Sequence, residues 1–157
     1  MQNRMKLHAL SQEVMEEVLE KAIVGRLATI DPEGYPYVVP GHFVFWQAKV
    51  YDHGLPLGQK LAGIARDPKV GFEVDEMVGL LDQDVTSPCD VNTSYRSVIA
   101  KGEAILVGDP ELKQAVLKRI VAKYTPHLTH LEMPPAMVRG TAVLEITLRG
   151  LTGKRYP

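Results

Sequence analysis

Apolar positions along the chain fall into two rhythms. Val14, Met15, Val18, Leu19, Ala22 and Ile23 are spaced three and four apart, which draws one stripe down a helix. Ser11 supplies an N-cap, Leu10 can staple against Met15, and Gly25 is the expected stop. The rhythm then becomes strand-like. Arg26 to Asp31 reads as a strand, Asp31-Pro32-Glu33-Gly34 as a turn, and Tyr35 to Trp46 as one long strand rich in Val, Tyr and Phe. Gln47-Ala48 turns it into Lys49 to His53, and a Gly/Pro loop leads to a short helix from Gly58 to Arg66, closed by Asp67-Pro68. Lys69 to Glu76 alternates again, residues 77–93 are turn-rich, and Ser94 to Val107 is a long strand bent at Gly102. Asp109-Pro110-Glu111 opens a helix whose apolar face carries Leu112, Ala115, Val116, Ile120, Val121 and Tyr124. Thr141 to Arg149 alternates cleanly, with Ala142, Leu144, Ile146 and Leu148 on one side.

Six strands against three helices, mostly joined by tight turns, predict an antiparallel sheet closed into a small barrel. A doubly wound parallel sheet would need a helix between most strands. The expected fold class is mainly β: a six-stranded antiparallel barrel with flanking helices, α+β overall, in one domain over residues 1–157.

Charge narrows the partners. Lys plus Arg is 18 and Asp plus Glu is 19, a net charge of −1, so no general pull toward nucleic acid or an anionic membrane follows. Any anion site must be local. The single cysteine, Cys89, excludes an intramolecular disulfide framework and suits a reducing compartment. The opening stretch MQNRMKLHALSQEV has no signal-peptide core, and the chain has no run of about 18 apolar residues. A cytoplasmic protein with no membrane span is expected.

Three constellations could carry chemistry. In YDHGLPLGQKL, residues 51–61, a strand breaks into a glycine/proline loop and then starts a helix bearing Lys60. The first N–H groups of a helix lack internal partners and its dipole favours an anion there, so a phosphate is the first suspicion. The competing reading is a solvated lysine on a surface helix. If Gln47-Ala48 is a symmetric hairpin tip, His42 faces His53 on one side of the sheet. Two half-buried histidines are the plain reading; a metal site is disfavoured because no carboxylate or cysteine accompanies them. Arg96, in Ser94-Tyr95-Arg96-Ser97, needs a partner on its strand: a surface salt bridge, an inter-subunit contact or a bound phosphate. His127-Leu128-Thr129-His130 reads as loop polarity.

The succession GRLATID, GYPYVVP, YDHGLPLGQKL, DPKVGFEVD, SYRSVIAKGEA and LTGKR, from about Arg26 to Arg155, resembles the flavin-binding split-barrel superfamily typified by pyridoxamine 5′-phosphate oxidase. Within it, the nitroimidazole reductase branch is the nearer likeness. The resemblance implies a six-stranded Greek-key split barrel, a homodimer, and FMN at the subunit interface. It implies that Lys60 stands at a phosphate-binding lysine position and that Gln59 replaces a usual arginine. Val39, Pro40, Gly41 and His42 fall where the family lines the flavin, and His42 stands where asparagine is expected. His53 matches a histidine close to the flavin, and Arg96 and Ser97 match a strand reaching the dimer interface. With Asp52, these ten residues form the candidate cofactor set, and His53 is the candidate catalytic residue. The implied activity is an FMN-dependent oxidoreductase passing hydride from a reduced nicotinamide to a small aromatic or nitro-substituted acceptor. Two alternatives stay open: a non-catalytic flavin or haem carrier, for which the histidine pair is suggestive, and a deazaflavin-dependent reductase.

Overall fold

The computed structural model describes residues 8–156; the reading of no leader segment rests largely on residues 1–7, outside that range. Helix α1, Gln12–Lys21, starts where the Ser11 hydroxyl accepts from the Val14 N–H at 3.4 Å and buries Met15, Val18 and Leu19. It stops at Ala22, before the expected Gly25. Gly25 has a different task. It opens strand β1, Gly25–Ile30, and a Cβ there would stand 2.2 Å from the Phe72 ring.

The strands that follow are β2 (Pro36–Gly41), β3 (Phe43–Trp46), β4 (Lys49–Gly54), β5 (Lys69–Leu81), β6 (Asn92–Leu106) and β7 (Ala142–Tyr156). They form one antiparallel sheet in the order β2-β1-β5-β6-β7-β4-β3. Seven strands replace the expected six because the run from Tyr35 to Trp46 is two strands. β2 pairs with β1 and β3 with β4, so the chain changes partner at His42. Alternation of apolar residues does not reveal such a change, since both halves keep the same period.

That single residue closes the barrel. In a flat sheet, six strand spacings of about 4.8 Å would hold β2 and β3 roughly 29 Å apart. One residue spans at most about 3.6 Å. The sheet therefore curls until its two edges meet at His42.

Other differences are extensions. Part of residues 77–93 is ladder, not turn: Met77 pairs with Tyr95 and Leu81 with Asn92, with an irregularity between Met77 and Gly79. β7 continues past Arg149 to Tyr156. The bend at Gly102 is present as a register shift, and a Cβ there would lie 2.6 Å from the Thr147 carbonyl oxygen. Helix α2 is Gln59–Arg66. Helix α3, Pro110–Tyr124, begins as expected, with Asp109 accepting from the Glu111 and Leu112 N–H groups. A short α4, Pro135–Gly140, and 3₁₀ turns at Pro88–Asp90 and Pro126–Leu128 were not expected. No described helix is long and apolar enough to cross a membrane.

Two apolar clusters result. One fills the barrel beneath α1 and includes Leu19, Phe43, Phe72, Val74, Leu144 and Ile146. The other lies on the outer face of β3, β4 and β7 under α3, with Val44, Tyr51, Val116, Ile120 and Val143.

Candidate cofactor site

The β3–β4 hairpin has the expected register: Phe45 faces Val50, Val44 faces Tyr51, and Phe43 faces Asp52. Its tip places Gln47 at φ 52° and Ala48 at φ 57°, the two positive values a primed two-residue turn requires. One step beyond the ladder, the His42 and His53 rings lie nearly parallel, at 19°, with centroids 6.4 Å apart. The cross-strand pair predicted from the turn exists.

Tyr124, the last residue of α3, holds this junction. Its ring stacks on His42 at 4.0 Å, its hydroxyl accepts from the Phe43 N–H at 2.9 Å, and it lies within donating distance of the Ile23 carbonyl at 2.8 Å. Burial raises the Tyr124 pKa, which keeps the hydroxyl protonated and able to donate. From sequence Tyr124 was only one more position on an apolar face. A phenol at the C-terminal end of that stripe, where a helix meets a strand crossing, was the available signal.

His53 is half-buried and its Nδ1 is buried without a hydrogen-bond partner. Burial lowers its pKa, opposed by the Asp52 charge and the His42 backbone. At pH 7 the ring is therefore neutral, with one donor and one acceptor, and Nδ1 has no hydrogen-bond partner within the chain.

Asp52 leaves β4 on the opposite face, toward the barrel interior, as its partners Phe43 and Leu144 do. It is 4% exposed, and the Lys60 ammonium forms an ion pair with its Oδ2. Lys60 is thus no solvated surface lysine; its side chain is 19% exposed. A Cβ on Gly41 would sit 3.1 Å from Asp52 Oδ1, and one on Gly54 would sit 3.6 Å from the Lys60 Nζ. The loop between them carries Leu55 and Leu57, both over 80% exposed, and Gly58 at φ 146°. Gln59 is exposed at the start of α2, and no side chain caps that helix.

Gly41, His42, Asp52, His53, Gln59 and Lys60 therefore come together where β2, β3, β4 and α2 meet. Val39 and Pro40 lead into the group along β2, Val39 half-buried and Pro40 exposed. Arg96 and Ser97 do not join it. Arg96 pairs with Glu76 at 2.6 Å and approaches Glu17 at 3.8 Å, the surface salt bridge among the expected alternatives. Ser97 lies opposite Lys154 on β7, while His53 lies opposite Val143. Those β7 positions are separated by about 36 Å of strand, taking about 3.3 Å for each residue step.

Lys123 is a residue the sequence did not flag. Its Nζ is buried with no hydrogen-bond partner and lies 4.0 Å over the Phe43 ring. Burial pulls its pKa down to about 8, opposed by Glu20. No group of three or more His, Cys, Asp or Glu able to hold a metal occurs among the described residues.

Residues 11–155 match the pyridoxamine 5′-phosphate oxidase family. The chain belongs to that family. It is a family of flavin-binding split barrels, and the curled sheet joined at His42 is its fold in this chain. No curated protein matches the sequence. Among solved structures, a candidate 5-nitroimidazole antibiotic resistance protein from Bacteroides thetaiotaomicron is 24% identical, with a TM-score of 0.81 over 94% of this chain and 86% of its own. The flavocytochrome Anf3 from Azotobacter vinelandii is 22% identical, with a TM-score of 0.86 over 100% of this chain and 72% of its own. An FAD- and haem-binding protein from Mycobacterium smegmatis is 18% identical, with a TM-score of 0.81 over 92% and 71%. At these identities the likeness is one of fold.

Proposed function

We propose that this member of the pyridoxamine 5′-phosphate oxidase family is an FMN-dependent oxidoreductase that takes hydride from a reduced nicotinamide and delivers it to a small aromatic or nitro-substituted acceptor. The observation that carries the reading is His53 Nδ1, buried and unpartnered beside a glycine-lined loop. A buried polar atom without a partner is costly, and a ligand that hydrogen-bonds it removes the cost. The residues fit a flavin on that ground and on the close approach that Gly41 and Gly54 allow to Asp52 and Lys60.

When bound, the flavin supplies the two-electron step. The chain supplies the setting. Neutral His53 donates or accepts a hydrogen bond at Nδ1 and can hold the acceptor or hand it a proton. Tyr124 keeps His42 flat against its own ring, and Leu55 and Leu57 offer an apolar cover that excludes water. If Arg96 and Ser97 reach the same cofactor, they do so from a second copy, because the part of β7 they pair with lies too far along that strand from Val143, the partner of His53. A homodimer with shared sites follows from this reading.

The absorbance spectrum of the purified protein, before and after incubation with FMN, is the first test. A flavin spectrum followed by NADH or NADPH oxidation that depends on a nitroaromatic acceptor supports the proposal. His53→Gln should then lower kcat by about a hundredfold or more if the ring moves a proton. A Soret band points to the haem carrier, which the histidine pair favours. A colourless protein that does not bind FMN refutes the flavin reading.

A further inference from the structure

The ion pair between Asp52 and Lys60 changes what the glycine loop can do. Lys60 is the only cation in the segment from Gly54 to Lys60, and position 59 is an uncharged glutamine. That one positive charge is held by a carboxylate buried at the barrel mouth. His53 adds no charge at neutral pH, since burial lowers its pKa. The loop is therefore electrically neutral where a phosphate would approach. Asp52 is not free to turn away: it is packed between Phe43 and Leu144 in the sheet, and its Oδ1 occupies the space that a side chain at position 41 would take.

We propose that Asp52 is the specificity-determining residue of this site: by holding Lys60 in a buried ion pair, it limits the preference for a phosphate-bearing ligand over the same ligand without phosphate. The geometry gives the reason. A phosphate that meets Lys60 also meets the Asp52 carboxylate directly behind it, and like charges at close range in a half-buried site repel strongly. The glycines at 41 and 54 let Asp52 and Lys60 pack close to the backbone, the carboxylate sets how much a ligand's phosphate adds, and Gln59 leaves that balance uncorrected. The inference rests on the flavin reading only for its choice of ligand pair.

The test is a matched titration of FMN and riboflavin with the parent, Asp52→Asn, and the double variant Asp52→Asn/Lys60→Met. The double variant removes both charges, so neither is left buried alone. Asp52→Asn should bind FMN roughly tenfold or more tightly, about the effect of 1.4 kcal/mol, with riboflavin changed less than about twofold. The double variant should bind FMN within about threefold of the parent, because both sites are neutral.

Selective weakening of FMN by Asp52→Asn would mean that the carboxylate aligns Lys60 for the phosphate, and would overturn the proposal. So would a loss on the order of ten- to a hundredfold for FMN alone in the double variant, since Lys60 would then be acting with its full charge. If Asp52→Asn does not fold, the double variant decides the matter by itself. If the parent binds neither flavin, the flavin reading fails, and inorganic phosphate tests the loop on its own. Phosphate should raise the melting temperature of Asp52→Asn more than that of the parent. Equal responses would overturn the inference.

Discussion

The barrel interior and the outer face under α3 are built from the same strands and could hardly differ more. Inside, successive inward positions of β4 and β7 are Val50, Leu144 and Ile146, and the main polar intrusion is Asp52 at the mouth. Outside, the alternate positions of those strands carry Tyr51, His53 and Glu145, and α3 adds Tyr124. Tyr51 donates to Glu145 at 3.0 Å, Lys49 meets the same carboxylate at 2.5 Å, and burial with the neighbouring Glu145 pushes the Tyr51 hydroxyl up to about 12. A period of two thus sorts one sequence into an almost wholly apolar face and a face that gathers partly buried polar groups.

The largest expected effect lies inside. Leu19 is fully buried where α1 covers the barrel, and Leu19→Ala should cost about 2–5 kcal/mol of stability by denaturant unfolding. On the proposed flavin reading, the folded fraction should bind FMN as the parent does. If binding falls in proportion beyond the folded fraction, the two faces are not separable.

Next comes Lys123, whose contribution depends on pH. Its folded pKa of about 8 lies below the ordinary 10.5, so between those values the unfolded chain holds more protons and stability rises with pH. Below about pH 8 the amine is charged in both states and the full burial cost stands. Lys123→Met should therefore melt higher than the parent at pH 7, and the gap should narrow as pH rises toward 10. A gap that stays constant across this range would mean that the contact with the Phe43 ring offsets the burial.

The smallest effect is at the hairpin tip that both faces share. Ala48 at φ 57° sits where glycine is unstrained, so Ala48→Gly should raise stability by about 1 kcal/mol without shifting the His42–His53 pairing.

Much of this arrangement was legible in the chain, for specific reasons. The Gln47-Ala48 tip sets the register of β3 against β4, and counting outward from it brings His42 to His53. Asp109-Pro110 marks the start of α3 because each residue has a single strong preference there. The partner change at His42 was hidden because β2 and β3 share one alternation. The β5–β6 ladder beyond Glu76 was hidden because Met77, Val78, Leu80 and Leu81 are exposed and keep no period. The ion pair of Asp52 with Lys60 was hidden for another reason. Asp52 and His53 are neighbours in sequence and leave the strand on opposite faces, so reading the motif as a single run of residues does not show which of them meets Lys60.

The junction at His42 also bears on the order in which the protein assembles. β2 and β3 are consecutive in the chain, yet β1, β5, β6, β7 and β4 must be laid between them before Gly41 and Phe43 occupy their final places. The ladders required reach far along the chain, from Tyr95 to Tyr156 and from Asp52 to Leu144, and contacts of such separation form slowly. The junction of His42, His53 and Lys60 is therefore among the last features to appear. A ligand that occupies it slows the opening of the finished barrel and does nothing to hasten its closing. During synthesis the two edges cannot meet at His42 until β7 has been made.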